Sequence, residues 1–327
     1  MTQLIKGPKL LLMVIFIFLL VLPVFMDSRS MLILFTQIFI FALFAMSFDI
    51  LLGYTGIVSF GHCMFFGIGA YSVALMMDYQ ESTLSSFAIG VLIAVLLAAC
   101  VSYIIGMLSL RLKSHYYAML TLAVSQLLLV LADKWRTVTH GGDGFTFNVP
   151  DIFRDRLSFY YITLICLVAF FIILRLFTAS SIGKVLKAIS QNEQRVEALG
   201  YKTLHYKVIA GIIAAFSGAL YVITLRFVNT AVFSIDITLD ALLMTMLGGV
   251  GTLIGPILGA GVLEFIQHYL SELAADYPIF ERWTIILGVL YIIVLLGFPS
   301  GLIGWLNKRM KRKSLPVQKK EKRKAAS

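Results

Sequence analysis

Charged residues are scarce in this sequence. Of its 327 residues, 13% are charged and 60% are hydrophobic, whereas a soluble domain is about a quarter charged and about half apolar. The apolar residues form runs of roughly 17–25 residues, the length that crosses about 30 Å of hydrocarbon. No stretch between the runs is long enough to fold as a soluble domain. The composition therefore excludes a soluble enzyme and predicts an all-α integral membrane protein, a polytopic helical bundle.

Signatures of catalysis and metal binding are also missing. The pair Gly183-Lys184 lacks the upstream glycine and the following Ser or Thr of a P-loop. Neither an H-E-x-x-H zinc motif nor a G-x-S-x-G elbow occurs. The three cysteines, Cys63, Cys100 and Cys166, lie inside apolar runs without ligand spacing. We therefore expect no catalytic residue, no metal site and no cofactor in this chain.

About ten apolar segments are present. The first is predicted to be a retained span and not a signal peptide, because no A-x-A-like site follows it. Segments eight and nine are short and glycine-rich, which is compatible with one broken helix or with a re-entrant pair. We therefore predict about 8–10 membrane segments, some broken or re-entrant. Their bounds are 10–26, 31–52, 54–77, 86–110, 116–132, 158–178, 207–228, 239–250, 254–270 and 283–303.

The net charge of +10 is concentrated near the C-terminus, where residues 307–327 hold ten Lys or Arg and one acid. We interpret this stretch as a disordered basic cytoplasmic tail that rests on anionic lipid, not on nucleic acid, and residues 1–306 as the transmembrane domain. With both termini cytoplasmic, twenty Lys and Arg lie inside and seven outside. This distribution satisfies the positive-inside rule and makes 133–157 an external loop.

The cytoplasmic loop, 179–206, carries a predicted short helix. Ser190–Glu193 fits a capping box, and Gly200 stands where an αL C-cap belongs, so the helix is predicted over Gln191–Leu199. An amphipathic stretch, Ile182–Ile189, precedes it. Such a helix either lies on lipid or docks into a groove of a soluble partner, and its polar face favours the partner.

Glycine-rich turns mark a candidate translocation path. Leu52–Gly56, predicted between two spans, either exposes backbone groups to a permeating solute or forms a plain hairpin turn. Gly251, Gly255 and Gly259 predict a small-xxx-small helix face. His62 lies in an apolar run, where it is either functional or bonded to a neighbouring helix. The candidate residues of the path or gate are Gly53, Tyr54, Thr55, Ser59, His62, Gly249, Gly251 and Thr252.

The cytoplasmic loop resembles the EAA-type loop of ABC importer permeases. The likeness lies in Glu197-Ala198 and Gly200, although Leu199 replaces the second alanine. It implies that the loop helix inserts into a cleft of an ATPase subunit and transmits nucleotide-driven closure to the spans. The residues that it implies for this coupling are Ser190, Glu193, Arg195, Glu197, Ala198 and Gly200.

Other stretches resemble, in order, the M-type permease of branched-chain amino-acid importers. Phe60 and Cys63 depart from the pattern of that family. The matching stretches are FDILLGYTGIVSFGHCMFFGIGAYSVAL (48–75), THGGDGF (139–145), FSGALY (216–221) and MLGGVGTLIGPILGA (246–260).

The resemblance implies a permease subunit that works by alternating access in a bacterial cytoplasmic (inner) membrane. Its solutes would be leucine, isoleucine and valine, delivered by an extracytoplasmic binding protein. Its other partners would be a homologous second permease and two ATPase subunits, which would bind the ATP and Mg²⁺.

Three alternatives are open. A related ABC permease would carry urea, amides or another small solute. An ion-coupled secondary transporter would need intramembrane acids, and Glu264 lies well inside a predicted span, while Asp49 and Asp240 lie near span ends. A membrane enzyme would need a clustered catalytic set, which His62 alone does not supply. A short internal echo, FGIGAY at 66–71 against FSGALY at 216–221, is compatible with a repeat.

The loop assignment predicts the behaviour of two substitutions. Changing Glu197 to Lys, or replacing Gly200, should uncouple transport without stopping membrane insertion, because the change falls on the docking helix and not on a span. ATP-dependent uptake and the amount of protein in the membrane fraction measure the two effects. Normal uptake by either variant would remove the docking assignment.

Overall fold

A computed structural model describes residues 18–23, 28–109, 114–200 and 204–276, together with 285, 288, 289, 292 and 301–304. Most of the predicted segments 10–26 and 283–303, and the whole basic tail 307–327, lie outside the described residues. The remaining eight predicted segments can be compared with the structure.

The described chain is almost entirely helical. Between its helices lie a π-helix, Ile50–Thr55, two short 3₁₀ turns, and two strands, β1 (Phe145–Thr146) and β2 (Phe227–Val228). In chain order the α-helices are α1 (18–23), α2 (Arg29–Asp49), α3 (Cys63–Tyr79), α4 (Leu84–Ser109), α5 (Ser114–Lys134), α6 (Arg136–Thr139), α7 (Asp151–Arg154), α8 (Arg156–Ala179), α9 (Ser181–Gln191), α10 (Glu193–Ala198), α11 (Leu204–Leu225), α12 (Ile235–Gly248) and α13 (Ile254–Asp276).

Within the described part, five helices are long and apolar enough to cross a membrane: α2 with the π-helix, α4, α5, α8 and α11. The apolar α3 is shorter. Leu96 on α4, Met119 on α5 and Ile173 on α8 are exposed, and such apolar surfaces suit contact with lipid tails. The prediction of an all-α, multi-pass membrane protein is confirmed.

One predicted helix boundary is wrong, and the structure decides a second that the sequence left open. No hairpin turn separates the second and third segments near Gly53, because α2 runs directly into the π-helix and α3 begins only at Cys63. The π-helix ends at Gly56, which has a left-handed φ of 72°. Segments eight and nine are two separate helices, α12 and α13, which pack against each other, so they are not one broken helix.

Helix α2 forms the centre of the bundle. From Thr36 to Asp49 every residue except Gln37 is buried, and α2 packs against α8, α11, α12 and α13. A helix that is apolar on all sides belongs in such a position. The central α2 therefore places its last residues, and the π-helix that follows, among the other elements.

The two echo segments noted in the sequence pack directly against each other. A Cβ added at Gly69 of α3 would overlap the carbonyl oxygen of Ala215 on α11, and one added at Gly218 of α11 would overlap the carbonyl oxygen of Phe66 on α3. These reciprocal contacts bring the two helix backbones close together, as small residues allow. Helices α3 and α11 therefore form one tightly packed unit.

Small residues also separate α12 from α13. A Cβ at Gly259 would overlap the carbonyl oxygen of Met244, and one at Gly248 would overlap that of Gly255. Gly251, however, precedes α13 and has a φ of 74°. The predicted small-residue face therefore consists of Gly255 and Gly259, while Gly251 belongs to the turn.

The external loop of the sequence prediction is held by hydrogen bonds to the end of α11. β1 and β2 pair antiparallel, with Phe145 opposite Val228 and Thr146 opposite Phe227. The side chain of Arg226 donates to the carbonyl oxygen of Arg154 at 2.9 Å. The loop between α5 and α8 is thus tied to the bundle.

Alanine should have opposite effects at two glycines, because Gly69 lies in the close contact between α3 and α11 and Gly261 has room for a Cβ. Gly69→Ala should lower the free energy of unfolding by about 1–3 kcal/mol, the usual cost of overpacking. Gly261→Ala on α13 should be neutral or stabilising by up to about 1 kcal/mol, since helices favour alanine and the nearest atom would be 3.9 Å away. Thermal unfolding in detergent measures both. Equal melting temperatures for the two variants would contradict the close packing.

Candidate functional site: a junction around Asp49

Asp49, the last residue of α2, holds the turn between α12 and α13. Its fully buried carboxylate accepts hydrogen bonds from the backbone N–H of Gly251 at 2.6 Å and of Leu253 at 3.1 Å. Hydrogen bonds to a charged acceptor are the stronger kind. The turn that they hold is unusual, since Leu253 has a φ of 56°. We call the contact between Asp49, the π-helix and residues 249–253 the Asp49 junction.

Gly53 of the π-helix lies against the backbone of the same turn. A Cβ at Gly53 would overlap both the Asp49 carboxylate and the backbone N of Gly251. Its own carbonyl oxygen lies 3.1 Å from the Cβ position of Gly251. No side chain fits between the two backbones, so glycine at position 53 is what permits the contact.

Thr252 precedes α13 and caps its N-terminus beside this contact. Its hydroxyl donates to the carbonyl oxygen of Gly249 at 2.7 Å and accepts from the backbone N–H of Gly255 at 2.9 Å. This is the bonding of a helix N-cap. Gly301 also approaches this turn, since a Cβ added at Gly301 would overlap the backbone of Gly249. Thr252 therefore fixes the start of α13 next to the turn.

Helix α9 reaches the junction from the other side. It packs against the π-helix, where a Cβ at Gly56 would lie 3.3 Å from the Cβ of Ser190. The ammonium of Lys187 lies over the ring of Tyr54, 5.8 Å from its centroid, within the range of a cation–π contact. The loop helix and the α12–α13 turn thus touch the same π-helix.

The predicted capping box at Ser190 is wrong. Ser190 lies inside α9, where its hydroxyl donates to the carbonyl oxygen of Lys187 at 2.8 Å. Asn192 caps the next helix instead, accepting from the backbone N–H of Arg195 at 3.0 Å. Asn192 is extended, as an N-cap residue is, so it interrupts the helix two residues later than predicted. Ser180 caps α9 by accepting from the N–H of Ile182.

The predictions of local structure for the rest of the cytoplasmic loop agree with the structure, apart from that for Ile182. Leu186 and Ile189 of α9 are buried, although Ile182 is exposed. Gly200 has a φ of 88°, the left-handed conformation expected of a C-cap glycine. On α10 the side chains of Glu193 and Glu197 lie outside the described residues, and the coupling candidates Arg195 and Ala198 are exposed.

His62 and Ser59 lie apart from the junction. The Nε2 atom of His62 is 2.8 Å from the hydroxyl of Ser47, and its fully buried ring contacts three phenylalanines, Phe44, Phe48 and Phe65. This geometry matches the reading of His62 as a partner for a neighbouring helix. Ser59 is also buried, and its hydroxyl has no partner among the described residues.

The structure therefore brings together six of the eight candidate path residues: Gly53, Tyr54, Thr55, Gly249, Gly251 and Thr252. Thr55 donates to the carbonyl oxygen of Leu51 in its own helix. Sequence reasoning missed the contact of Asp49 with the 249–253 turn and that of Lys187 with the π-helix. The available signal was a single acid at the end of a long apolar run, which is costly to bury unless it is bonded.

Comparison with known proteins assigns the chain to a transport family. Residues 30–296 match the family described as "Branched-chain amino acid transport system / permease component". No solved structure matches significantly.

Two curated relatives illustrate the extent of the likeness. The high-affinity branched-chain amino acid transport system permease protein LivM of Salmonella typhimurium is 26% identical, over 94% of this chain and 77% of its own length. The probable branched-chain amino acid transport permease protein LivM of Methanocaldococcus jannaschii is 27% identical, over 79% of this chain and 89% of its own. The family match covers most of the chain, and so this multi-pass membrane protein belongs to the branched-chain amino acid transport permease family.

Proposed function

We propose that this chain is a membrane permease subunit of an ATP-binding-cassette importer. It translocates leucine, isoleucine or valine, which an extracytoplasmic binding protein delivers. Family membership and the printed names of the relatives support the solute class. The observation that carries the mechanism is the continuous contact from α9 through the π-helix to the α12–α13 turn.

The partners follow from this role. A homologous second permease completes the conduit, and two ATPase subunits bind ATP and Mg²⁺, while this chain binds neither and is not an enzyme. The protein resides in a bacterial inner membrane with both termini cytoplasmic. Residues 1–306 form the permease domain, and the basic tail rests on anionic lipid.

The proposed coupling runs through α9 and α10. ATP-driven closure of the ATPase subunits moves these helices, whose exposed end includes Arg195, Ala198 and Gly200. Ser190 against Gly56, and Lys187 over Tyr54, pass the displacement to the π-helix. Asp49 then passes it to the α12–α13 turn, which acts as a cytoplasmic gate.

An ion-coupled transporter is the second candidate, because Glu264 of α13 is a buried acid inside the bundle. Uptake into vesicles separates the two. Solute accumulation that needs ATP and the ATPase subunits supports the importer. Accumulation by the purified chain alone, driven by an ion gradient without ATP, would support the second candidate and overturn the first.

Asp49→Asn should uncouple ATP hydrolysis from uptake. The amide keeps the shape but has a single acceptor oxygen and no charge, so it loses hydrogen bonds worth about 1.5–3 kcal/mol each. Uptake by the assembled transporter should fall at least tenfold while ATPase activity persists. Asp78→Asn, on an exposed residue of α3, is the matched control. Wild-type uptake by Asp49→Asn would exclude a coupling role for the junction.

A disulfide between positions 56 and 190 should preserve transport, because the proposed mechanism passes the displacement of α9 to the π-helix through this contact. The Cβ positions are 3.3 Å apart, close to the separation of about 3.5–4.5 Å in a disulfide. In a background with serine at the three native cysteines, Gly56→Cys with Ser190→Cys should cross-link on oxidation and keep the uptake of the reduced protein. The single variants serve as controls. Loss of uptake on full cross-linking, restored by reduction, would show that α9 moves relative to the π-helix and would contradict direct transmission.

A further inference from the structure

A second site lies away from the Asp49 junction. A cavity of about 360 Å³ opens among α2, α11, α12 and α13, and its volume falls within the range of about 300–1,000 Å³ found for small-molecule sites. Gln37, which lines it, precedes Asp49 by roughly 18 Å along α2 at about 1.5 Å per residue. The cavity therefore lies several turns of α2 away from the Asp49 junction.

Two carboxylates face this cavity. Asp240 on α12 is hydrogen-bonded to the side chain of Gln267. Glu264 on α13 is only 7% exposed, and it has no hydrogen bond and no cationic partner among the described residues. Burying an ionised carboxylate without a partner is costly, and within the described part of the chain this leaves Glu264 free to pair with a positively charged group that enters the cavity.

The remaining wall is of mixed chemistry. Gln37 and Tyr221 contribute side chains that can donate hydrogen bonds, whereas Leu34, Phe41 and Ile237 contribute apolar surface. The other polar residues that line the cavity are Gln267, His268 and Ser271, so polar side chains outnumber the apolar ones in its wall. A branched-chain amino acid presents one ammonium, one carboxylate and one aliphatic group, and the wall offers a counterpart to each.

We propose that Glu264 and Asp240 bind the ammonium group of the translocated amino acid, so that the cavity selects α-amino acids over neutral solutes such as urea and amides. This inference rests on the proposed import function and adds to it the groups that recognise the solute. A solute without an ammonium leaves the buried carboxylate of Glu264 unpaired, and an unpaired buried polar group is a strong means of rejecting the wrong solute.

The test uses the complete transporter in lipid nanodiscs, without the binding protein, and radiolabelled leucine as the probe. Unlabelled leucine and 4-methylpentanoate, which is leucine without its amine, compete for the probe. Leucine should compete at a concentration at least tenfold lower. Equal competition by the two compounds, or no specific leucine binding, would overturn the proposal without any need for a variant.

Substitutions of Glu264 test whether its carboxylate binds the ammonium group of leucine. Glu264→Gln should weaken leucine binding at least tenfold and bring leucine and 4-methylpentanoate to similar affinity, while Glu264→Asp should restore part of the difference. Glu272→Gln, on an exposed residue of the same helix, should bind leucine as the wild type does. Leucine binding and discrimination by Glu264→Gln at wild-type levels would overturn the assignment.

ATP-driven leucine uptake in proteoliposomes with the binding protein, measured in parallel, keeps the two proposals separate. Failure of the wild type to take up any branched-chain amino acid contradicts the proposed function. Normal uptake together with equal competition by 4-methylpentanoate contradicts only the role of the carboxylates.

Discussion

The buried carboxylate of Asp49 accepts hydrogen bonds from the backbone N–H groups of Gly251 and Leu253, and this interaction holds the α12–α13 turn beside the π-helix that α9 contacts. It joins the end of the central helix to a turn some two hundred residues later. A charge is tolerated there because the backbone groups satisfy it. Gly53 makes the approach possible, since any side chain would occupy the space of the hydrogen bonds.

The π-helix connects the Asp49 interaction with helix α9. It continues the buried α2 without a break, so that Gly53 meets the α12–α13 turn while Tyr54 and Gly56 meet α9. π-Helical segments are frequent at functional sites. Helix α9 and the α12–α13 turn are therefore connected through the segment Asp49–Gly56, which is the connection that the proposed coupling requires.

Asp49 and Glu264 are both buried acids, but they differ in their hydrogen-bond partners. Asp49 is bonded by the backbone and acts within the chain, whereas Glu264 faces a cavity without a cationic partner in the described part. Intramembrane acids are functional candidates in general. The first kind suits the proposed mechanical coupling and the second suits the proposed recognition of a charged solute. The cavity residue Gln37 and Asp49 lie about 18 Å apart along α2, so the two proposed sites are separate.

The sequence by itself determined the helical membrane class, most span positions, the amphipathic α9 and the left-handed Gly200, because these follow from local hydrophobicity, periodicity and glycine stereochemistry. It misplaced the cap at Ser190, since Ser190 and Asn192 are both good caps and their neighbours decide between them. It also placed the boundary between two spans at Gly53, where the chain continues as a π-helix. Only the tertiary structure brought Asp49 to the 249–253 turn, set His62 apart among aromatic rings, and grouped Asp240 with Glu264. These contacts join residues far apart in the chain, and long-range packing, which no local pattern encodes, decides them.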